Sequence, residues 1–260
     1  MCGRYTVKTK DKKLAAQFQA SLLESFDNHF NIAPTFRVPV VLMDTEKNER
    51  VLKRDYWGLV PYWAKNPKIA YQTTNARADT VSEKPSFKRA FKKTRCLIIM
   101  DGFFEWERSV TPKQPYYISM KDEQPFACAG LYETWKVRWE EDKRDIEKAE
   151  KTGKKPKAVK WPINLGGKNY NEGEELESCS IITTEPNPLM AKIHDRMPVI
   201  IDPKNYEVWL DPKMHDEGVL KTLLKPYTDT KMQCWPVSQV VNKVGDDDTE
   251  NCIKEVKVQS

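Results

Sequence analysis

One stretch constrains the fold more than any other: the run RCLIIMDGFFEW, from Arg95 to Trp106. It is continuously apolar up to Met100, is interrupted at Gly102 and then alternates, which makes it the strongest strand signal in the chain. We therefore expect the fold to be organised around a sheet that contains this run.

The rest of the chain reads as short strands interspersed with short helices. An amphipathic helix is predicted over residues 11–24, where Leu14, Phe18 and Leu22 recur at spacings of four. Further strands are predicted at 38–43, 50–58, 115–120, 125–131, 178–183, 198–201 and 233–241. Because these elements lack a regular strand–helix–strand rhythm, they indicate an α+β fold. A doubly wound fold is the weaker alternative, since the chain has no G-x-G-x-x-G fingerprint and no P-loop.

The domain organisation follows from length and local composition. A chain of 260 residues allows one large domain or two small ones. Residues 136–175 are rich in Lys, Glu and Asp and offer little to bury, so we interpret them as a charged surface insertion rather than a domain. We expect one domain over 1–245 that includes this insertion, followed by a flexible tail over 246–260.

Composition excludes several classes of protein. No apolar run is long enough to cross a bilayer, and the N-terminus lacks the apolar core of a secretory signal. We therefore expect an intracellular protein with no membrane partner. The six cysteines form no C-x-x-C pair, which disfavours a zinc site, and the net charge of +5 permits a polyanionic partner without requiring one.

Cys2 is the first candidate for chemistry. N-terminal methionine is normally removed when the next residue is small, and removal would give Cys2 a free α-amine beside its thiol. An unperturbed α-amine has a pKa of roughly 7.7–8.0, so a useful fraction is neutral at pH 7 and can attack an aldehyde. The thiol can then close on the same carbon to give a five-membered thiazolidine, which an internal cysteine cannot do. The alternative is a chance cysteine at an untrimmed terminus.

Three polar residues could assist binding. Asn75 and Arg77 lie in a polar loop, where Asn can donate and accept and Arg offers a fork of donors suited to phosphate. Arg4 adds a second cation beside Cys2. Simple solvation of surface residues is the alternative.

Two further residues could transfer protons. Glu105 lies between Phe104 and Trp106 at the end of the most apolar strand, where partial desolvation would raise its pKa and suit it to proton transfer. His194, next to Asp195, could shuttle protons near neutral pH. The alternatives are that strand alternation points Glu105 to solvent and that His194 caps the end of a short helix.

Aromatic residues also cluster among basic ones, as is typical of single-strand binding, although aromatic residues are more often part of a core. They are Trp57, Tyr62, Trp63, Tyr71 and Trp106.

A series of short motifs, taken together and in this order, resembles the SOS response-associated peptidase (SRAP) family. The motifs are MCGRY (1–5), FNIAP (30–34), WGLVPYWA (57–64), NARADT (75–80), DGFFEW (101–106), AGLY (129–132), TTEPN (183–187) and HDRMP (194–198). They extend over roughly residues 1–210, and the charged stretch 136–175 looks longer than is usual in the family.

The resemblance implies a single α+β domain with a twisted, barrel-like, mostly antiparallel sheet, flanking helices and a positively charged groove for single-stranded DNA, with no metal and no cofactor. It implies that Cys2 is the crosslinking nucleophile and that Asn75 positions the N-terminus and the abasic sugar. It implies proton transfer by Glu105 and His194. The phosphate contacts it implies are Arg4, Arg77 and Arg196, and it implies that Trp63 or its loop wedges against flanking bases.

The sequence therefore predicts an abasic-site processing protein that forms a thiazolidine DNA–protein crosslink, a lyase-like activity, through Cys2. Autocatalytic removal of Met1 is left open. Its expected partner is single-stranded DNA with abasic sites, and we expect a monomer. It would be cytoplasmic and nucleoid-associated in a bacterium, or nuclear in a eukaryote. A cysteine peptidase and a non-covalent reader of modified DNA bases are the alternatives.

Overall fold

The computed structural model describes residues 2–140, 147, 151–152, 160–245 and 248–257. Its strands, in chain order, are β1 (Arg4–Val7), β2 (Ser21–Leu22), β3 (His29–Ile32), β4 (Arg37–Asp44), β5 (Glu49–Trp57), β6 (Asn75–Arg77), β7 (Arg95–Met100), β8 (Gly102–Glu107), β9 (Gln114–Met120), β10 (Phe126–Lys136), β11 (Ile163–Leu165), β12 (Lys168–Tyr170), β13 (Glu175–Thr184), β14 (Met197–Pro198) and β15 (Met232–Pro236).

The helices in the ranges 2–140 and 160–257 are short. The α-helices there are α1 (Asp11–Gln17), α2 (Lys88–Lys93), α3 (Tyr206–Leu210) and α4 (Glu217–Thr222). The 3-10 helices there are Pro67–Gln72, Met190–Lys192, Pro203–Asn205, Asp229–Lys231, Gln239–Asn242 and Glu250–Ile253.

Five strands close a barrel at the centre of the molecule. They pair in the order β13-β10-β7-β4-β5, and β5 pairs back to β13 in parallel, Ser178 opposite Tyr56 and Cys179 opposite Trp57. The other neighbours around the ring are antiparallel. All six residues of β7 are buried, as its continuous apolar sequence demands. The predicted α+β fold with a barrel-like, mostly antiparallel sheet is confirmed.

The dominant sequence run also builds a second sheet. After β7 the chain turns at Asp101 and continues as β8 in a five-stranded sheet of order β15-β9-β8-β1-β3. The buried Asp101 carboxylate accepts hydrogen bonds from the amides of Lys8 and Thr9, at 2.7 and 2.9 Å. A Cβ on Gly102 would lie 2.3 Å from the ring of Tyr117, so only glycine fits there. The corner therefore joins the two sheets in a fixed orientation.

The first predicted helix is shorter than expected. The sequence predicted a helix over 11–24, but α1 ends at Gln17, and Gln19 has a positive φ of 51°. A left-handed residue cannot continue a right-handed helix, so the chain leaves α1 and pairs Leu22 with β5. Leu14 and Phe18 still reach the core, since both are buried.

The charged insertion is anchored at both of its ends. Trp135 and Val137 at its start and Tyr170 and Leu176 at its close are buried in one apolar cluster. The most charged part, 141–159, lies almost entirely outside the described residues.

The segment predicted as a flexible tail, 246–260, is packed in its described part. Asp248 accepts hydrogen bonds from the backbone amides of Phe30 and Asn31, at 2.5 and 2.9 Å. Cys252 is fully buried. The aspartate run that predicted a loose tail thus supplies a carboxylate that satisfies two amides of β3, and this accounts for the difference.

Among the described residues, none of the helices is both long enough and apolar enough to span a membrane.

Arg95 ties the helices to the barrel. It opens β7, is 3% exposed, and its guanidinium makes five hydrogen bonds of 2.5–3.0 Å to backbone carbonyls. These acceptors belong to Phe91, Lys92, Trp209, Asp211 and Met214, at the ends of α2 and α3 and in the turn after α3.

We expect Arg95→Met to lower the free energy of unfolding by at least about 3 kcal/mol, because it leaves buried carbonyls without donors. Urea denaturation at pH 7 measures this loss. The exposed Lys88→Met on α2 is the control and should stay within about 0.5 kcal/mol of the parent. Equal stability of the two variants would contradict the structural role of Arg95.

Candidate functional site

Cys2 lies inside the protein, two residues before β1. It is fully buried, and its carbonyl oxygen accepts a hydrogen bond of 2.9 Å from Asn75 Nδ2. Asn75 opens β6, which pairs in parallel with β13 and so has a fixed position. The Asn75 Oδ1 atom is buried and has no hydrogen-bond partner among the described residues. Asn75 therefore fixes the backbone of Cys2 and presents a further acceptor in the site.

Glu105 is the buried acid of the site. The β1–β8 register pairs Arg4 with Phe104, which brings the next residue, Glu105, alongside the segment that leads to Cys2. Glu105 is 2% exposed. Burial raises its pKa to about 7, against the lowering effect of nearby positive charges. The sequence-based expectation of a desolvated carboxyl is confirmed, and Glu105 can exchange protons near neutral pH.

The Cys2 thiol is neutral at physiological pH. Burial raises its pKa far above the ordinary value, and the Glu105 carboxylate raises it further. The charge of Glu105 thus acts on the thiol, and neither side chain faces bulk solvent.

His194 completes the group. It follows the 3-10 helix Met190–Lys192 and is 5% exposed. Its Nε2 atom lies 3.6 Å from Glu105 Oε2 and 2.5 Å from Arg108 Nη2, while Nδ1 lies 2.9 Å from Asp195 Oδ1. Burial lowers the pKa of His194 to about 4, so the ring is neutral at pH 7. The ring therefore faces the buried Glu105 carboxyl group.

The arrangement combines three chemical capacities. Glu105 is poised to donate or accept a proton, neutral His194 can accept one, and Asn75 can orient a polar group through its amide. All three surround the N-terminal segment that carries Cys2. Such a site suits addition to a carbonyl followed by loss of water, which needs proton transfers in both directions.

Two predicted phosphate ligands come together beside the site. Arg77 makes a two-pronged ion pair with Asp79, at 2.7–3.2 Å, and its side chain is 59% exposed. Arg196 donates to the Thr183 carbonyl at 2.6 Å and lies 3.9 Å from the same aspartate. Both guanidiniums therefore flank one carboxylate, which a phosphate could replace as their partner.

A groove of about 380 Å³ is lined by Arg77, one of these two arginines. Tyr71, Asn75, Arg77 and Lys84 are among its lining residues, and Tyr71 is 72% exposed. Trp63, the predicted wedge, is 42% exposed, which is unusual for so large a ring.

Arg4 does not join this surface. Its guanidinium donates to Asn31 Oδ1 at 2.8 Å and to the carbonyls of Val241 and Asn242, at 2.7 and 3.3 Å. Arg4 was predicted as a phosphate contact beside Cys2. The structure instead uses its donors to hold the segment Gln239–Asn242 against β1.

Sequence reasoning missed the partners of the predicted residues. Arg108 contacts His194, and Asp79 links Arg77 to Arg196. Asp79 falls within the NARADT motif and Asp195 adjoins His194, so spacing offered some signal for both. Arg108 lies in an exposed polar turn after β8 that has no distinguishing pattern.

Comparison with known proteins shows the family to which this chain belongs. The family model described as SOS response associated peptidase (SRAP) matches residues 1–244. The abasic site processing protein YoqW of Bacillus subtilis is 38% identical over 247 residues, which cover 93% of this chain and 94% of the relative. The abasic site processing protein HMCES of Xenopus tropicalis is 32% identical, over 84% of this chain and 64% of the relative.

The fold has a solved counterpart as well. A crystal structure of a protein from Bacteroides thetaiotaomicron matches with a TM-score of 0.77 and 28% identity, and the match covers 98% of this chain and 100% of that one. Since the family model spans most of the chain and the relatives exceed 30% identity over most of its length, the protein belongs to the SRAP family.

Proposed function

We propose that the protein processes abasic sites in single-stranded DNA and, once Met1 is removed, traps them as a covalent thiazolidine on Cys2. The observation that carries this proposal is the burial of Cys2 beside Asn75, Glu105 and His194. The abasic-site processing named for YoqW and HMCES supports the DNA lesion as the substrate.

The reaction needs no external reagent. An abasic sugar is mainly a ring-closed hemiacetal, and opening it to the aldehyde requires a proton at the ring oxygen and the removal of one from the hydroxyl. Glu105 and neutral His194 can supply and accept these protons. The α-amine of Cys2 then adds to C1′, and water leaves to give an iminium ion.

The thiol closes the ring in the second stage. Its sulfur adds to the iminium carbon, and its proton passes to a base, for which the Glu105 carboxylate is at hand. One C–N and one C–S bond form, one water is released, and no electron is exchanged. The high pKa of the thiol favours this order, because the neutral amine is the better nucleophile while the thiol is protonated.

Holding the reacting groups together supplies the rate advantage. Asn75 fixes the backbone of Cys2 through its carbonyl, so the amine and thiol are presented in one orientation. Its buried Oδ1 is available to a hydroxyl of the sugar. Arg77 in the groove and Arg196 beside Asp79 would bind phosphates, and Trp63 would stack against a flanking base.

The pKa of the Cys2 thiol also bears on the alternative function as a cysteine peptidase. A catalytic thiolate requires a lowered pKa, whereas burial here raises the pKa of Cys2. This observation disfavours a peptidase. A reader of modified bases would bind DNA whether or not Cys2 is present, and the next experiment includes that outcome. The monomeric state and the compartment stay predictions.

We expect Cys2→Ala to abolish a heat-stable crosslink to single-stranded DNA with one abasic site, because no thiol is left to close the ring. The remaining α-amine should still give a band when borohydride reduces the Schiff base. Denaturing gels with and without reductant measure both, with Cys234→Ala as the control that keeps full crosslinking. A heat-stable band from Cys2→Ala without reductant would refute the thiazolidine, and unchanged DNA binding with no covalent product in any variant would support a reader.

Glu105→Gln should slow crosslinking by about 10²–10⁴-fold and remove the inflection near pH 7 from the rate profile, since an amide cannot exchange the proton. The variant should also be more stable at high pH. The folded-state pKa is raised, so the contribution of Glu105 to stability is present below about pH 4.5 and is lost as the pH rises through about 7. Urea denaturation at pH 8 should therefore favour the variant by about 2–3 kcal/mol, and a less stable variant at pH 8 would contradict the assignment.

Arg77→Gln should weaken binding to intact single-stranded DNA and reduce the slope of log K against log salt by about 0.7, the value for one lost phosphate contact. Asp79→Asn should tighten binding, because it releases Arg77 from its two-pronged ion pair. Fluorescence anisotropy over a range of salt concentrations measures both. An unchanged slope for Arg77→Gln would remove this residue from the phosphate contacts.

A further inference from the structure

Arg108 lies directly against the imidazole of His194. Its Nη2 atom is 2.5 Å from His194 Nε2, and its Nη1 atom is 3.4 Å from Asp195 Oδ1. That carboxylate oxygen is in turn 2.9 Å from His194 Nδ1. The ring is therefore held between a cation at one nitrogen and an anion at the other.

This clasp engages Nε2 of the ring. A guanidinium has only donors, so Nε2 accepts while Arg108 is in place. At the other nitrogen, the Arg196 backbone N–H donates to Nδ1 at 3.1 Å, and Asp195 Oδ1 lies 2.9 Å from the same atom. In this arrangement Nε2, the nitrogen that faces Glu105, is already occupied and cannot take a proton from a substrate.

The exposed position of Arg108 also allows its side chain to move away from His194. It is the first residue after β8, and its side chain is 56% exposed, whereas the side chain of His194 is 3% exposed. A phosphate offers a guanidinium two anionic oxygens in a matching geometry, against one neutral imidazole nitrogen and one carboxylate oxygen, at 3.4 Å, in the free protein. An incoming DNA strand can thus compete for Arg108 at the rim without disturbing the buried groups.

We propose that Arg108 is a positioning residue that blocks His194 Nε2 in the free protein, and that a phosphate of bound single-stranded DNA draws it away. The inference rests on the proposed function, since it takes single-stranded DNA as the ligand. It makes the proton acceptor available only when a substrate strand is present.

The surrounding charges determine how the withdrawal of Arg108 changes the proton affinity of His194. His194 faces Glu105 from β8, Arg108 from the following turn, Asp195 from its own segment and the charge of the α-amino group of the chain. Burial lowers the pKa of His194 first of all, the positive charge of the α-amino group lowers it next, and the positive charge of Arg108 adds to the lowering. Withdrawal of that charge, with Asp195 left in place at Nδ1, raises the affinity of the ring for a proton.

The test is an NMR titration of the histidine rings, of which the chain has only three, with His194→Gln to assign the signal. In the free protein, we expect Arg108→Gln to titrate His194 at a pH higher than the parent by at least about one pH unit. Lys113→Gln, in the same exposed turn, removes one positive charge without touching the ring and should match the parent. An unchanged titration in Arg108→Gln would overturn the inference.

The second arm adds single-stranded DNA without an abasic site, so that no crosslink can form. The pH at which His194 titrates in the parent should rise towards that of Arg108→Gln, so that the two proteins titrate at the same pH. An equal rise of the His194 titration pH in both proteins would show only the general effect of a polyanion and would overturn the release of Arg108. Failure of the DNA to bind would count against the proposed function, while the free-protein comparison would still decide whether Arg108 holds His194.

Discussion

The corner at Asp101 and Gly102 is the constraint on which the rest of the structure depends. It takes one apolar run out of the closed barrel as β7 and into the second sheet as β8. The Asp101 carboxylate holds the chain beyond β1, and the missing side chain of Gly102 lets the Tyr117 ring pack against the backbone. Because β8 starts at this fixed point, Glu105 arrives three residues later beside the segment that carries Cys2. A shift of β8 by one residue would turn Glu105 to the opposite face of the sheet.

The site consists of ionisable groups whose burial costs the fold stability. A carboxyl group, a thiol and an imidazole are all buried, and burial moves each pKa towards the neutral form. In a purely structural core such groups would be replaced by apolar ones of similar size. Their presence together, with Asn75 fixing the backbone of Cys2, is the pattern expected where stability is given up for chemistry. The proposed clasp of Arg108 adds a reason for the imidazole to stay neutral until DNA arrives.

The sequence predicted the architecture well where the pattern was strong. The run from Arg95 to Trp106 identified the central strands, and the family resemblance implied the barrel that the structure confirms. The same sequence could not show that the first helix ends at Gln17 or that Asp248 packs against β3. The strand pairing that follows the helix and the Asp248 contacts both join segments that are far apart in sequence. Arg4 shows how far the contacts of a site residue can be predicted from sequence. Its position beside Cys2 suggested a phosphate contact, which stays a prediction, whereas its hydrogen bonds to Asn31, Val241 and Asn242 could not be predicted from sequence. Arg108 carried no signal, since only the fold brings it to His194.

The most direct test of the thiazolidine is a peptide map of the DNA adduct by tandem mass spectrometry. The proposed reaction predicts that the sugar is attached at Cys2, with the loss of one water relative to the two reactants. It also predicts that this thiol resists alkylation after denaturation, because the sulfur is part of the ring. An adduct on a lysine, or on a Cys2 whose thiol still reacts with an alkylating agent, would contradict the thiazolidine and with it the proposed role of the N-terminus.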